Sequence, residues 1–164
     1  MSLFEVGVRM ERTLENGTLS KALEQYVVDA LTFTEAEASI IREASVYGII
    51  TDIATIKRSR CTELIGDGSK EKWFRAKVNY ITIDEKTDKE KKIPNYFFVN
   101  AETITDAKKA VDDYFFVNAE TISDAKITVD DFFKETLIDY SIATLDETKV
   151  LEVFRHNLNA NNED

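Results

Sequence analysis

A single histidine, His156, is all the imidazole this chain has. A serine or cysteine nucleophile needs a base held beside it, and His156 lies in a polar C-terminal stretch read as a surface tail. Nucleophilic catalysis by a histidine-based triad is therefore not expected. Cys61 is the only cysteine, so one chain can form neither a disulfide nor a thiolate zinc cage. It sits beside Arg58 and Arg60, which favour a thiolate, but with no histidine at hand it reads as a half-buried strand residue. No Walker A loop and no Gly-x-Gly-x-x-Gly occur, and Gly66-Asp67-Gly68 is too short for a phosphate cradle. No run of 18 apolar residues is present, so no transmembrane helix is expected. The opening Met-Ser-Leu-Phe-Glu-Val has neither a basic segment nor an apolar one, and a secretory signal is not expected. The chain reads as cytoplasmic in whichever cell makes it. These absences point to a protein that is not an enzyme and needs no cofactor or metal.

What is present is a folding composition. Apolar residues make up 43% of 164 and aromatics 10%, enough for a packed core. The net charge is −10, which opposes non-specific binding to DNA or an anionic membrane. The charge is uneven. Residues 57–77 hold seven Lys/Arg against three Asp/Glu, whereas residues 94–164 hold six against fifteen.

Phe4, Val6, Val8 and Met10 alternate with Glu5, Gly7, Arg9 and Glu11, the period of a half-buried strand. Asn16-Gly17 then marks a hairpin, and a second strand runs from Leu19 to Val28. Thr34-Glu35-Ala36-Glu37 has the form of a capping box. Ala36, Ile40, Ala44 and Tyr47 fall on one helical face, with Gly48 as the expected C-cap. Ile49–Ile56 reads as a third strand. The pattern restarts with a strand around Phe74–Tyr80, a charged loop over 84–92 and a strand through Tyr96–Val99. Pro94 suits a strand start or an edge. Helix starts are expected at Thr105-Asp106-Ala107 and again at Ser123-Asp124-Ala125. Leu137–Leu145 reads as a strand and Asp146–Phe154 as a short helix.

The two halves are related. Val27-Val28-Asp29-Ala30 matches Phe98-Val99-Asn100-Ala101, and Ile53-Ala54-Thr55-Ile56 matches Ile142-Ala143-Thr144-Leu145. Inside the second half, Tyr96–Asp113 is repeated at once as Tyr114–Asp131, with 15 of 18 positions identical. Removing one copy gives both halves the same spacing. The expected fold is α+β: two pseudo-repeated ββαβ units forming a mainly antiparallel sheet with helices packed on it. The second unit is lengthened by the 18-residue tandem duplication. One domain spans 1–154, with repeat unit one at 3–65, repeat unit two at 70–154, and a polar tail at 155–164.

Eighteen residues are five turns of α-helix. Ala107, Val111, Phe115, Ile122, Ala125, Val129 and Phe133 could therefore line one side of a single long helix. Alternatively both copies are strand plus short helix, or two copies compete for one slot in a swapped dimer. Short linkers favour the long helix, and the conformation of Phe115–Asn118 decides.

Phe4-Glu5-Val6, Arg9 and Glu11-Arg12, with Tyr26 through Ala38 and its Phe33-Thr34-Glu35-Ala36-Glu37-Ala38 helix start, carry a resemblance. So do Lys72–Val78 and Ile81–Lys86. Together they resemble an uncharacterised domain family of Bacteroidota genomes and the crAss-like phages that infect them, over most of residues 3–154. The tandem copy and the longer tail depart from that pattern. The resemblance implies a setting, the cytoplasm of a bacterial host or association with a phage virion, and no activity.

The strongest binding candidate is a basic, aromatic segment: Lys57, Arg58, Arg60, Lys70, Lys72, Trp73, Arg75 and Lys77. On a strand, Trp73, Arg75 and Lys77 share one face. A tryptophan beside two cations is the chemistry of a stacking platform for single-stranded nucleic acid. Asp112-Asp113 and Asp130-Asp131 read as solvated helix surface. The function expected is a non-catalytic interaction or assembly protein that associates with itself or another protein. The alternative is a single-stranded nucleic-acid-binding accessory protein. No membrane and no small-molecule substrate is expected.

Overall fold

The computed structural model describes residues 2–126 and 139–155. Its elements are β1 (Ser2–Thr13), β2 (Leu19–Ala30), α1 (Phe33–Ala44), β3 (Ile49–Arg58), β4 (Glu63–Ile65), β5 (Lys72–Ile83), β6 (Glu90–Ala101), α2 (Ile104–Lys126), β7 (Asp139–Glu147) and β8 (Val150–Phe154). The fold is α+β, with two sheets that are mostly antiparallel.

Two compact units form. One comprises the chain up to Thr62 and the chain from Lys149 onward, the other Glu63–Thr148. The first sheet has strand order β3-β1-β2-β8 and the second β4-β6-β5-β7. Each is an antiparallel hairpin flanked by an antiparallel strand on one side and a parallel one on the other. The order is the same read from either sheet: β1 corresponds to β5, β2 to β6, α1 to α2 and β3 to β7. The boundaries differ from those of the sequence repeat in one respect. β4 follows β3 in the chain yet pairs in the second sheet, and β8 follows β7 yet pairs in the first. Each sheet thus takes its fourth strand from the chain that follows the other's third.

The repeat holds at the level of individual bonds. A bulge falls between Gly7 and Val8 where β1 meets β3, and between Lys77 and Val78 where β5 meets β7. It leaves Ala54 and Ala143 as the extra residues, which twists both sheets at the same place. Thr32 caps α1 by accepting from the Glu35 amide at 3.1 Å, and Thr103 accepts from the Asp106 amide at the same distance.

Alternation puts one face of each hairpin under its helix. Phe4, Val6, Val8 and Met10 pack with Tyr26, Val28, Ala36, Ile40 and Ala44 in the first unit. Phe74, Ala76 and Val78 pack with Phe97, Val99, Ala107, Val111 and Phe115 in the second. Alanines at the closest helix positions let the backbone lie near the sheet. Phe115 sits at the centre of an aromatic cluster, stacked on Tyr140 at 4.5 Å and edge-on to Phe97 and Tyr80.

Several sequence expectations are corrected. The capping residue of α1 is Thr32, two residues before the expected box, and Glu35 reaches back to the Leu31 amide at 2.9 Å. The same two-residue displacement recurs at Thr103. Ser123-Asp124-Ala125 lies inside α2 and starts no helix. The C-cap of α1 is Ser45 rather than Gly48. Gly48 is required by a close approach instead, since a Cβ there would lie 2.5 Å from the Glu11 carbonyl oxygen. The expected helix over Asp146–Phe154 is the end of β7 and the strand β8, held by parallel pairing with β2. Phe115–Asn118 is helical, so the long-helix alternative holds as far as Lys126. Pro94 lies within β6, but β4 reaches only Phe97–Val99, so β6 is an edge at that point. Val129, Asp130-Asp131, Phe133, His156 and the tail after Arg155 lie outside the described residues.

The phenol of Tyr140 donates to Asp112 at 2.7 Å. Burial, reinforced by that bond, pushes its pKa from 10.0 up to about 12. A raised folded-state value means the unfolded phenol ionises first. The contribution is therefore whole below pH 10 and is lost as pH rises towards 12. Thermal melts across this window should fall more steeply for the native protein than for Tyr140→Phe; equal slopes would contradict the assignment.

Candidate interaction surfaces

β3 is the outer strand of the first sheet and has no ladder partner on its far side among the described residues. Two bulges in its pairing with β1 set Ile50, Ile53 and Ile56 all towards α1, opposite Met10, Val8 and Val6. Asp52, Thr55 and Lys57 face the other way, opposite Arg9, Gly7 and Glu5. Beside this edge an open groove of about 420 Å³ runs between the end of α1 and β3. Ile41, Gly48, Ile49, Ile50 and Ile53 contribute to its walls. Its rim is apolar and wet: Ile41 is 46% exposed, Ile49 65%, and the adjacent Val46 76%. A ten-residue strand with one open edge next to exposed isoleucines is a template for strand addition.

The basic segment is divided between the units. Lys57, Arg58 and Arg60 belong to the first. The Arg58 guanidinium lies over the rings of Phe4 and Phe33, at 5.2 and 5.4 Å, and donates to Ser2 Oγ at 3.1 Å. Lys57 and Arg60 are exposed. In the second unit, Lys70 lies 4.0 Å from Glu102 and Lys72 3.5 Å from Glu147. Arg75 stacks over Phe98 at 5.4 Å. Trp73, Arg75 and Lys77 do share a face, as alternation requires. The indole, however, is 2% exposed and Phe98 is fully buried. The expectation of an accessible tryptophan is corrected, because Trp73 is buried although it faces away from α2, while Arg75 and Lys77 stay half-exposed.

A second groove, of about 380 Å³, lies in the first unit and was not legible in the sequence. Arg12, Glu24, Tyr26, Tyr47 and Glu152 meet there. Arg12 Nε and Nη2 engage the Glu24 carboxylate at 2.7 and 2.8 Å, and Tyr26 donates to Glu24 at 2.6 Å. The Tyr47 hydroxyl donates to Glu152, and Arg12 lies over its ring at 5.5 Å. Burial, then the bond to Glu24, raises the Tyr26 pKa; the bond to Glu152 raises that of Tyr47. Arg12 Nε lies at ion-pair distance from Glu24 but has no hydrogen-bond partner among the described residues, and the cluster ties the turn after α1, the hairpin and β8 together. A helix over Asp146–Phe154, as the sequence pattern suggests, leaves Glu152 unconnected to Tyr47. The second unit has Thr82, Asn95 and Phe97 at the positions corresponding to Arg12, Glu24 and Tyr26.

Among the described residues no three His, Cys, Asp or Glu side chains are placed to hold a metal ion. No helix there is long and apolar enough to cross a membrane. The family model of a domain of unknown function, DUF4494, matches residues 2–115 and again 105–156. The chain belongs to DUF4494. The second DUF4494 match contains the whole of the second tandem copy, and its overlap with the first is consistent with an internal repeat. No curated protein and no solved structure matches the chain.

Proposed function

We propose that this DUF4494 protein is a non-catalytic interaction protein that associates with a second copy of itself along β3. The carrying observation is the unpaired edge of β3 beside an isoleucine-lined groove. A second copy is the occupant favoured by charge. Asp52, whose carboxylate also pairs with Arg9 of β1 at 2.5 Å, and Lys57 lie on one face five residues apart, so antiparallel copies set each Asp52 against the other's Lys57. Strand addition would also cover Ile49, whose exposure is otherwise costly at roughly 25 cal/mol per Å² of apolar surface. The proposed setting is a Bacteroidota bacterium or one of its crAss-like phages, on the resemblance carried by Phe33–Ala38 and Lys72–Lys86. The nucleic-acid alternative retains exposed cations at Lys57 and Arg60 but no accessible aromatic in Trp73.

Sedimentation over a concentration series should show a dimer. Lys57→Asp or Asp52→Lys alone should weaken it at least tenfold, and the charge-swapped double variant should restore it. A monomer at every concentration would sink the reading. Binding of single-stranded oligonucleotide that weakens steeply with salt would favour the alternative.

A further inference from the structure

The eight residues Tyr96–Thr103 and Tyr114–Thr121 are identical in sequence. The first copy completes β6 and provides the cap of α2, while the second lies wholly inside α2. The slot filled by the first copy makes specific demands. Phe97 and Val99 are buried in the core beneath α2, and Phe98 is buried as well. Asn100, the one buried polar side chain among the described residues, accepts from the Lys70 amide at 2.9 Å and donates to the carbonyls of Lys70 and Lys72 at 2.9 and 3.0 Å. Gly66 has a φ of 103° and lies so close to Asn100 that a Cβ there would be 2.9 Å from the asparagine's own. Each residue that meets these demands has a twin eighteen positions on: Phe115, Phe116, Val117, Asn118 and the capping Thr121. The sequence beyond also repeats the helix face, with Ala125, Val129 and Phe133 at the spacing of Ala107, Val111 and Phe115.

We propose that the two copies are interchangeable occupants of the β6 slot, so that the chain has two registers. In one, Tyr96–Thr103 is the strand and cap, as described above. In the other, Tyr114–Thr121 takes that place and the first copy passes into the loop between β5 and β6. Closing a loop of about 24 residues instead of about six lowers the second population only about eightfold. The copies agree at 15 of 18 positions, so nearly the same apolar residues are left over whichever is displaced, and burial does not separate the registers strongly. Preference for the first comes from what precedes each copy. Ile93-Pro94-Asn95 extends the ladder with β5, and the second copy would bring Val111-Asp112-Asp113 there instead. Tethering within one chain favours the slide over exchange between chains, because the second copy is held at high local concentration.

The test is a double-mutant cycle with Asn100→Leu and Asn118→Leu, followed by thermal unfolding with circular dichroism and Trp73 fluorescence on the full chain. Trp73 pairs directly with Asn100 in the ladder, so its emission reports the slot. Asn118→Leu alone should leave the melt unchanged. Asn100→Leu should stay folded with a lowered midpoint, rescued by Asn118, and the double variant should lose at least as much again. Equal midpoints for Asn100→Leu and the double variant would overturn the proposal, as would failure of Asn100→Leu to fold. Rescue that appears only with dimerisation would assign the exchange to separate chains and also overturn it.

Discussion

A chain ended after Thr148 should lose most of the stability of its first unit. That truncation removes Val150 from the core and Phe154, which stacks on Tyr26 at 5.6 Å and packs against the cluster under α1. It also removes the parallel ladder along Gln25–Val28 and the bond from Tyr47 to Glu152. Loss of one such phenylalanine costs about 3–5 kcal/mol, against a total of about 5–15 kcal/mol for a typical domain. The ladder groups of β2 would in addition be left open to other chains. Urea unfolding followed by circular dichroism should show a much lower midpoint and a tendency to aggregate. A midpoint equal to that of the full chain would mean that β8 is not an integral strand.

Phe4→Ala should be the most damaging single truncation in the first core, at about 3–5 kcal/mol. Phe4 is fully buried, edge-on to Phe33 at 4.9 Å, and supports the Arg58 guanidinium from below. The alanine would leave a cavity and withdraw one of the two rings on which Arg58 rests. Phe4→Leu, which keeps most of the volume, should cost less than half as much. Urea midpoints for the three proteins give the comparison, and a loss below about 1 kcal/mol for Phe4→Ala would contradict the packing described.

Much of the fold could be read from local pattern because its hairpins obey strict alternation. Phe4 to Met10 and Phe74 to Tyr80 face their helices as period two requires, and the sequence match of the two halves falls where the two bulges correspond. The failures have physical reasons. Thr32 and Thr34 both precede a glutamate by three residues, so either could head a capping box, and the end of β2 decides between them. Val150, Leu151 and Phe154 suit one face of a helix as well as a short strand; only pairing with β2, far away in sequence, selects the strand. β4 is three residues long and held by parallel pairing, which leaves almost no local trace. The same limit applies to the surfaces. Alternation placed Trp73, Arg75 and Lys77 on one face correctly, but whether that face is wet depends on packing that no local pattern encodes. The duplicated octapeptide makes the point within one chain, since an identical sequence is strand at Tyr96–Ala101 and helix at Tyr114–Ala119.

The crossing of fourth strands also sets an order of events during synthesis. β4 leaves the ribosome before β6, so the second sheet finds its outer strand already waiting. The first sheet has the opposite experience. Its hairpin, helix and third strand are complete when Arg58 emerges, but β8 follows only after roughly another 90 residues. At about 5–20 residues per second, that leaves the flank of β2 uncovered for roughly 5–20 s. A nascent chain of this protein therefore passes through a stage in which one sheet is finished except for a seam, and β8 acts as the closing stitch.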